Sequence, residues 1–286
     1  MAALAAPAAR RARRRRRAGL SVTYATAFAI VAITVVPLLF VALGGFRTSA
    51  QINESATGLP HPWVWGNYKA ILSSGSFWRF LGNSALIAGM ATVLAVGLGA
   101  MAAFALSRYT FRGREAIYTL FTIGLLFPLA VASLPLYLQL RRMGLLENPL
   151  GVGLPEAAFS LPITIVILRP FMRAIPSELE DAAVVDGATR LGFFWRILLP
   201  LSRPALSTVG ILAFVTSWNH YLLPLLVFND SNHFTLPLGV ATFQTQYSQD
   251  VARIFAFTAL SMLPSLAVFV FAERQIVGGL AGAVKG

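Results

Sequence analysis

The sequence predicts an all-α integral membrane protein with six transmembrane helices and both termini in the cytoplasm. Three observations predict it. The 286 residues are 57% apolar and only 12% charged, against about a quarter charged in an ordinary soluble domain. The mean hydropathy is +0.70. The charges also stand in clusters separated by long uncharged runs, each wide enough for the roughly 20 residues that a helix needs to cross a bilayer.

The elements follow in order along the chain. Arg10, Arg11 and Arg13 to Arg17 make a basic tail over 1–18, ahead of a transmembrane domain predicted over 19–272. The first span, 19–45, exceeds the roughly 7 to 15 apolar residues of a cleaved secretory signal, so it is expected to remain as a helix. Further spans are predicted at 80–107 and 116–140. A fourth, 150–169, carries Glu156 near its start, which places that carboxylate at the membrane surface if the segment spans. A long polar loop, 170–203, precedes the fifth span, 204–228, and the sixth, 253–272, leads into a tail at 273–286. With the N-terminus inside, seventeen Lys and Arg fall on cytoplasmic segments and six on outer ones, which is the bias that sets topology.

Composition inside the spans excludes several function classes. Ala91, Ala95, Gly99, Ala103 and Ser107 stand four apart, a stripe that lets another helix backbone approach closely. Pro37, Pro128, Pro135, Pro162, Pro224 and Pro264 fall within or at the ends of spans and predict kinks. Ionisable groups are nearly absent there; His220 is the clear exception, and without a relay an ion-coupled carrier is disfavoured. Neither Lys69 nor Lys285 follows a glycine, so no phosphate-cradling GxxxxGK[ST] loop exists, and no ATPase site is expected in this chain. Cysteine is absent, and His61, His220 and His233 are scattered, so no disulfide, thiolate or metal site is expected. The polar groups at membrane depth are isolated, which argues against an intramembrane enzyme. The basic tail is read as a membrane anchor rather than a nucleic-acid arm.

The loop over 176–204 reads PSELEDAAVVDGATRLGFFWRILLPLSRP. Ser177 with Glu180 predicts a capping box, and Glu178, Glu180 and Asp181 in the first turn suit the helix dipole. Gly187 predicts the stop. A second stretch, Thr189 to Leu199, carries Leu191, Phe194, Trp195 and Leu198 at helical spacing, with Pro200 closing it. The expected product is a helical elbow at the membrane surface.

Asp181, Ala182, Ala183, Asp186, Gly187 and Ala188, followed by Ile197, Leu199 and Pro200, resemble the EAA signature of binding-protein-dependent ABC importer permeases. The resemblance implies a type I importer permease fold in a bacterial cytoplasmic membrane. It also implies that the loop forms a coupling helix seated on an ATPase subunit, through Glu180, Asp181, Ala182, Ala183, Asp186, Gly187, Leu199 and Pro200. Asp181 stands where the family usually has Glu, so an ion pair to the ATPase falls to a shorter side chain or to Glu180. Residues 273–286, Trp218 with Asn219, Thr235 to Gly239 and Tyr247 to Asp250 look like the carbohydrate branch, near the smaller permease of maltose-type importers. The likeness runs from about Pro62 to Gly286. It implies a second permease, an ATPase dimer that uses ATP and Mg, an extracytoplasmic sugar-binding protein, and no cofactor on this chain. The polar run Thr216, Ser217, Trp218, Asn219, His220 and Tyr221 is the candidate substrate path, in competition with simple helix-to-helix bonding. The loop from Asn229 to Asp250 is the candidate contact for the binding protein. A permease for glycerol phosphate or a peptide keeps every feature except the substrate, and a secondary carrier remains the rival of another class.

Overall fold

The computed structural model describes residues 6–244 and 250–284, with side chains for 23–244 and 250–271. Among the described residues every regular element is helical. The α-helices are α1 (Ala6–Gly44), α2 (Ser49–Glu54), α3 (Gly66–Leu72), α4 (Gly75–Arg108), α5 (Arg114–Gly124), α6 (Leu129–Arg142), α7 (Pro149–Ala174), α8 (Glu178–Val185), α9 (Arg190–Phe193), α10 (Leu199–Leu201), α11 (Arg203–Trp218), α12 (Leu222–Val227), α13 (Leu236–Gly239) and α14 (Val251–Val284). The side chains of the Arg-rich tail and of the 273–286 tail, and all of Tyr247 to Gln249, lie outside the described residues.

Four stretches are long and apolar enough to cross a membrane: Thr23–Gly44, Gly75–Arg108, Pro149–Ala174 and Val251–Phe271. Two more qualify only as bent pairs. The helices α5 and α6 meet at 100°, and the elbow helix Arg190–Leu201 meets α11 at 79°. The spans predicted over 116–140 and 204–228 are each interrupted. Leu125 to Pro128 break the first, where Pro128 sits extended (ψ 129°) as the cap of α6 and supplies no amide. Asn219 to Tyr221 break the second: α11 has 16 residues, about 24 Å of helix, and α12 resumes at Leu222.

The described residues before Leu72, with Asp250–Ala259, form one compact unit. Its hub is Phe46, whose ring lies 4.5 to 5.2 Å from those of Trp63, Trp65 and Tyr68. Arg47 is buried, and it donates to the carbonyls of Gln51, Ser55 and Ala56. A charge in that position is tolerated because both terminal guanidinium nitrogens donate to carbonyls.

The described residues from Leu72 to Gln244, with those from Leu260, form the second unit. Here α4 and α7 run parallel, since contacts advance together along both: Gly153 faces Met90, Gly99 faces Thr164, and Arg169 Nε donates to the Leu106 carbonyl. All five residues of the predicted small stripe on α4 are buried. At Gly99 a β-carbon would stand 2.4 Å from Thr164 Cγ2, so the helix axes can approach this closely only over a glycine. Where α11 joins them, Ala95, Ala157 and Ala213 form an all-alanine cluster.

Candidate functional site

The elbow begins differently from the sequence expectation. Ser177 is already helical (φ −69°, ψ −25°) and makes no side-chain cap bond, so the predicted capping box does not form. An extended Ser177 would have been needed to turn its hydroxyl onto the Glu180 amide; the Glu180 carboxylate accepts instead from Tyr109 Oη at 3.4 Å. Burial first, and the Glu180 charge second, push the Tyr109 phenol above its ordinary value against the pull of Arg190. The phenol therefore stays a donor to that carboxylate at physiological pH.

The stop has the geometry expected of a glycine. Gly187 sits at φ +81°, its amide donates to Val184 O, and the Ala188 amide donates to Ala183 O. These two bonds are the paired closure of a helix C-terminus by a left-handed residue. Thr189 then caps α9 by accepting from the Gly192 amide at 3.0 Å.

Beyond α9 the chain widens into a π-helical turn, Phe194–Leu198, which leads into α10. Pro200 does not close the helix, as its position had suggested; it lies inside the single turn of α10, and the bend comes at Ser202. A proline at 200 has no amide for the Arg196 carbonyl and crowds it, and a widened turn relieves that crowding. The extra residue in the turn rotates the apolar face. Phe193, Phe194 and Leu198 are buried, whereas Leu191 and Trp195 are exposed, so two of the four expected core positions face outward.

The buried face is what fastens the elbow to the spans. Ala183, Phe193, Phe194 and Leu198 share one core with Phe104 of α4, Leu168 and Met172 of α7, and Ala205 and Val209 of α11. The Phe194 ring stacks on Phe104 at 4.9 Å. Arg108 donates to Ile175 O at 2.8 Å and lies over the Phe193 ring, and Arg190 lies 4.8 Å over the Tyr109 ring. The opposite face is open: Asp181, Ala182, Asp186, Gly187 and Pro200 are exposed, with Leu179, Val184 and Val185 beside them, Val185 at 86%. Glu180 and Leu199 are half-buried and Ala183 is buried, which makes Ala183 an anchor rather than part of the open surface.

At the other end of α4 a second cluster forms. Asn83 donates to the carbonyls of Asn232 and Phe234, Ser84 accepts from the Leu236 amide, and Arg79 bonds Asn232. From Ser84 to Phe104 is 20 residues, about 30 Å of helix, the thickness of a bilayer core. Leu236 and Leu238 are fully buried, so the TLPLG segment is an anchor; among the described residues of this loop, Asn229 to Asn232, Thr242 and Gln244 are exposed. Glu147, at φ +56°, holds the loop down by accepting from the Asn229 and Asp230 amides, the Asn229 side chain and His233. Burial raises its carboxyl affinity for protons, but those bonds outweigh burial and hold it below its ordinary value. A carboxylate with a depressed folded value stabilises above its unfolded pKa and loses that contribution as pH falls through the folded one. The melting temperature of the wild type is therefore expected to fall more steeply than that of Glu147→Gln below the ordinary carboxylate range. Parallel curves would contradict this.

The polar run of the fifth span gathers around the break between α11 and α12. Trp218 is buried, donates to Ser261 O at 3.3 Å and stacks on Phe214. Asn219 is exposed, bonding back to Val215 O, and Tyr221 is exposed. His220 is not alone. Its Nδ1 lies 2.8 Å from Glu156 Oε1, and Ser217 Oγ donates to the other oxygen of the same carboxylate. Glu156 is only 4% exposed, so it does not take the surface position expected for it but lies within the protein against His220 and Ser217. Arg169 is also buried. It bonds Glu115 and lies 3.9 Å over the Tyr118 ring, so His220 is not the one ionisable group inside the spans. A polar run beside a carboxylate in an apolar segment was the available signal, but a separation of 64 residues hid the pairing.

Comparison with known proteins gives a consistent picture. Residues 95–276 match the family described as binding-protein-dependent transport system inner membrane component. The chain is 38% identical over 253 residues to a putative ABC transporter permease protein of Caldicellulosiruptor, covering 88% of this chain and 92% of that one. It is 34% identical over 250 residues to a diacetylchitobiose uptake system permease protein of Streptomyces coelicolor, covering 87% and 83%. Its fold superposes at TM-score 0.74 on a chain of a bacterial ABC transporter that imports the acidic polysaccharide alginate, over 91% of this chain and 97% of that one, at 20% identity.

Proposed function

The chain belongs to the family of binding-protein-dependent transport system inner membrane components, and from that premise we propose that it forms half of the translocation pathway of an ATP-driven importer for sugars or oligosaccharides. It crosses the bacterial cytoplasmic membrane six times, counting α5 with α6 as one span and α11 with α12 as another, with both termini inside. A second permease completes the pore. Two ATPase subunits, which bind the ATP and Mg, dock on the two permeases, and an extracytoplasmic binding protein delivers the sugar near Asn229 to Asn232. The name of the diacetylchitobiose relative supports the carbohydrate class.

One observation carries the coupling role. The elbow is open on one side, with Asp181, Asp186, Val184 and Val185 exposed, and bonded on the other into the core that joins α4, α7 and α11. A push on the open face is thus delivered to three spans at once, because a close-packed core transmits strain instead of absorbing it. ATP-driven closure then favours one of two pore states. Glu180 is held by Tyr109 and orients the surface, and Asp181 and Asp186 are exposed carboxylates on it. Val185→Asp, a charge placed at the most exposed apolar position of the elbow, is expected to cut copurification of the ATPase with the permease pair about tenfold, with the permease pair itself intact. Undiminished recovery would remove the elbow from the docking surface.

A further inference from the structure

We infer that His220, oriented by Glu156 at the break between α11 and α12, binds hydroxyl groups of the passing sugar. The inference rests on the transport reading above and names the chemistry that this chain contributes to it. Glu156 lies eight residues beyond the Asn148 cap of α7, about 12 Å into the helix, and an ionisable group inside a span is kept for function when its partner is fixed. Its carboxylate only accepts, so it fixes the proton of His220 on Nδ1. The other ring nitrogen, Nε2, has no hydrogen-bond partner among the described residues, and the His220 side chain is 26% exposed. A helix interruption at membrane depth is tolerated where it lines a cavity or lies in protein, and not against lipid tails. Asn219 and Tyr221, exposed on the same interruption, flank His220 in the chain and add an amide and an aromatic ring.

The charge narrows the ligand class. Glu156 stands 2.8 Å behind the ring, and among the described residues neither a Lys nor an Arg is a partner of the pair, so the site offers no unpaired cation to a phosphate or a uronate. A neutral, hydroxyl-rich solute suits it, and an anionic sugar meets repulsion that is strong in a low-dielectric setting. Glu156 acts through His220 and is a positioning residue.

The test uses the full complex in proteoliposomes with its binding protein, and reads uptake of diacetylchitobiose, maltotriose and an alginate oligosaccharide. The neutral probe that is transported should show a KM raised about three- to tenfold by His220→Ala, the loss of one hydrogen bond, with a smaller change in Vmax and partial recovery in His220→Gln. Glu156→Gln should raise KM in the same direction. The chain has no cysteine, so Asn219→Cys gives a second measurement in a complex that keeps both groups: labelling by a water-soluble thiol reagent should be slowed by the neutral probe and not by the alginate oligosaccharide. An unchanged KM in His220→Ala, labelling indifferent to the neutral probe, or preferred uptake of alginate overturns the inference while the transport reading stands. A wild-type complex that transports none of the probes overturns both.

Discussion

Gly187→Val lowers binding-protein-stimulated ATP hydrolysis and uptake by about tenfold or more in the assembled importer. The reason is conformational. A β-carbon at Gly187 meets nothing within 4 Å, so the substitution creates no collision, but φ +81° is a left-handed conformation. For a β-branched residue that costs at least about 1 to 2 kcal/mol. The strain is relieved by turning the backbone, which breaks the bonds from the Gly187 and Ala188 amides to Val184 O and Ala183 O. Val184 and Val185 on the docking face then lose their fixed place relative to Phe193. Gly187→Asn, which tolerates the left-handed region, is expected to retain most of the activity. Equal loss in both variants would point to the side chain rather than to the backbone.

The second large effect is expected at Phe194→Ala. The Phe194 ring is fully buried and stacked on Phe104, and such truncations cost about 3 to 5 kcal/mol. Because this ring joins the elbow to α4 rather than filling the middle of a span, the damage should be local. Binding of the ATPase persists through the open face, whereas stimulation by the binding protein falls, since force delivered to Val185 no longer reaches the spans. Phe194→Leu, which fills part of the volume, should recover part of the coupling. A variant that stimulates normally would show that the elbow transmits nothing through this contact.

Much of the fold was legible because it depends on local composition. The period-four stripe from Ala91 to Ser107 identified the buried face of α4 correctly, and Gly187 marked the helix stop. What was not legible depends on distant partners or on backbone phase. Ser177 and Glu180 have the spacing of a capping box, yet a hydroxyl 71 residues away, on Tyr109, takes the carboxylate. Leu191 and Trp195 fit a helical period, but the π turn before Pro200 shifts the phase and brings Phe193 inward. Gaps between charges locate apolar runs and are blind to breaks within them, so the kink expected at Pro128 marks the first interruption without its size, and the one at Asn219 to Tyr221 has only the polar run around His220 as its local sign. Glu156 was placed at the surface because a lone carboxylate belongs there; only the third dimension supplies His220 and Ser217.

The most direct measurement is a cross-link from the elbow. Val185→Cys gives the chain its one thiol, and in membranes of the intact importer a bifunctional thiol reagent is expected to join it to the ATPase subunit, with a yield that changes when ATP is trapped. Labelling of that cysteine by an impermeant reagent from outside intact cells, with no adduct to the ATPase, would place the elbow on the wrong side of the membrane and contradict the account.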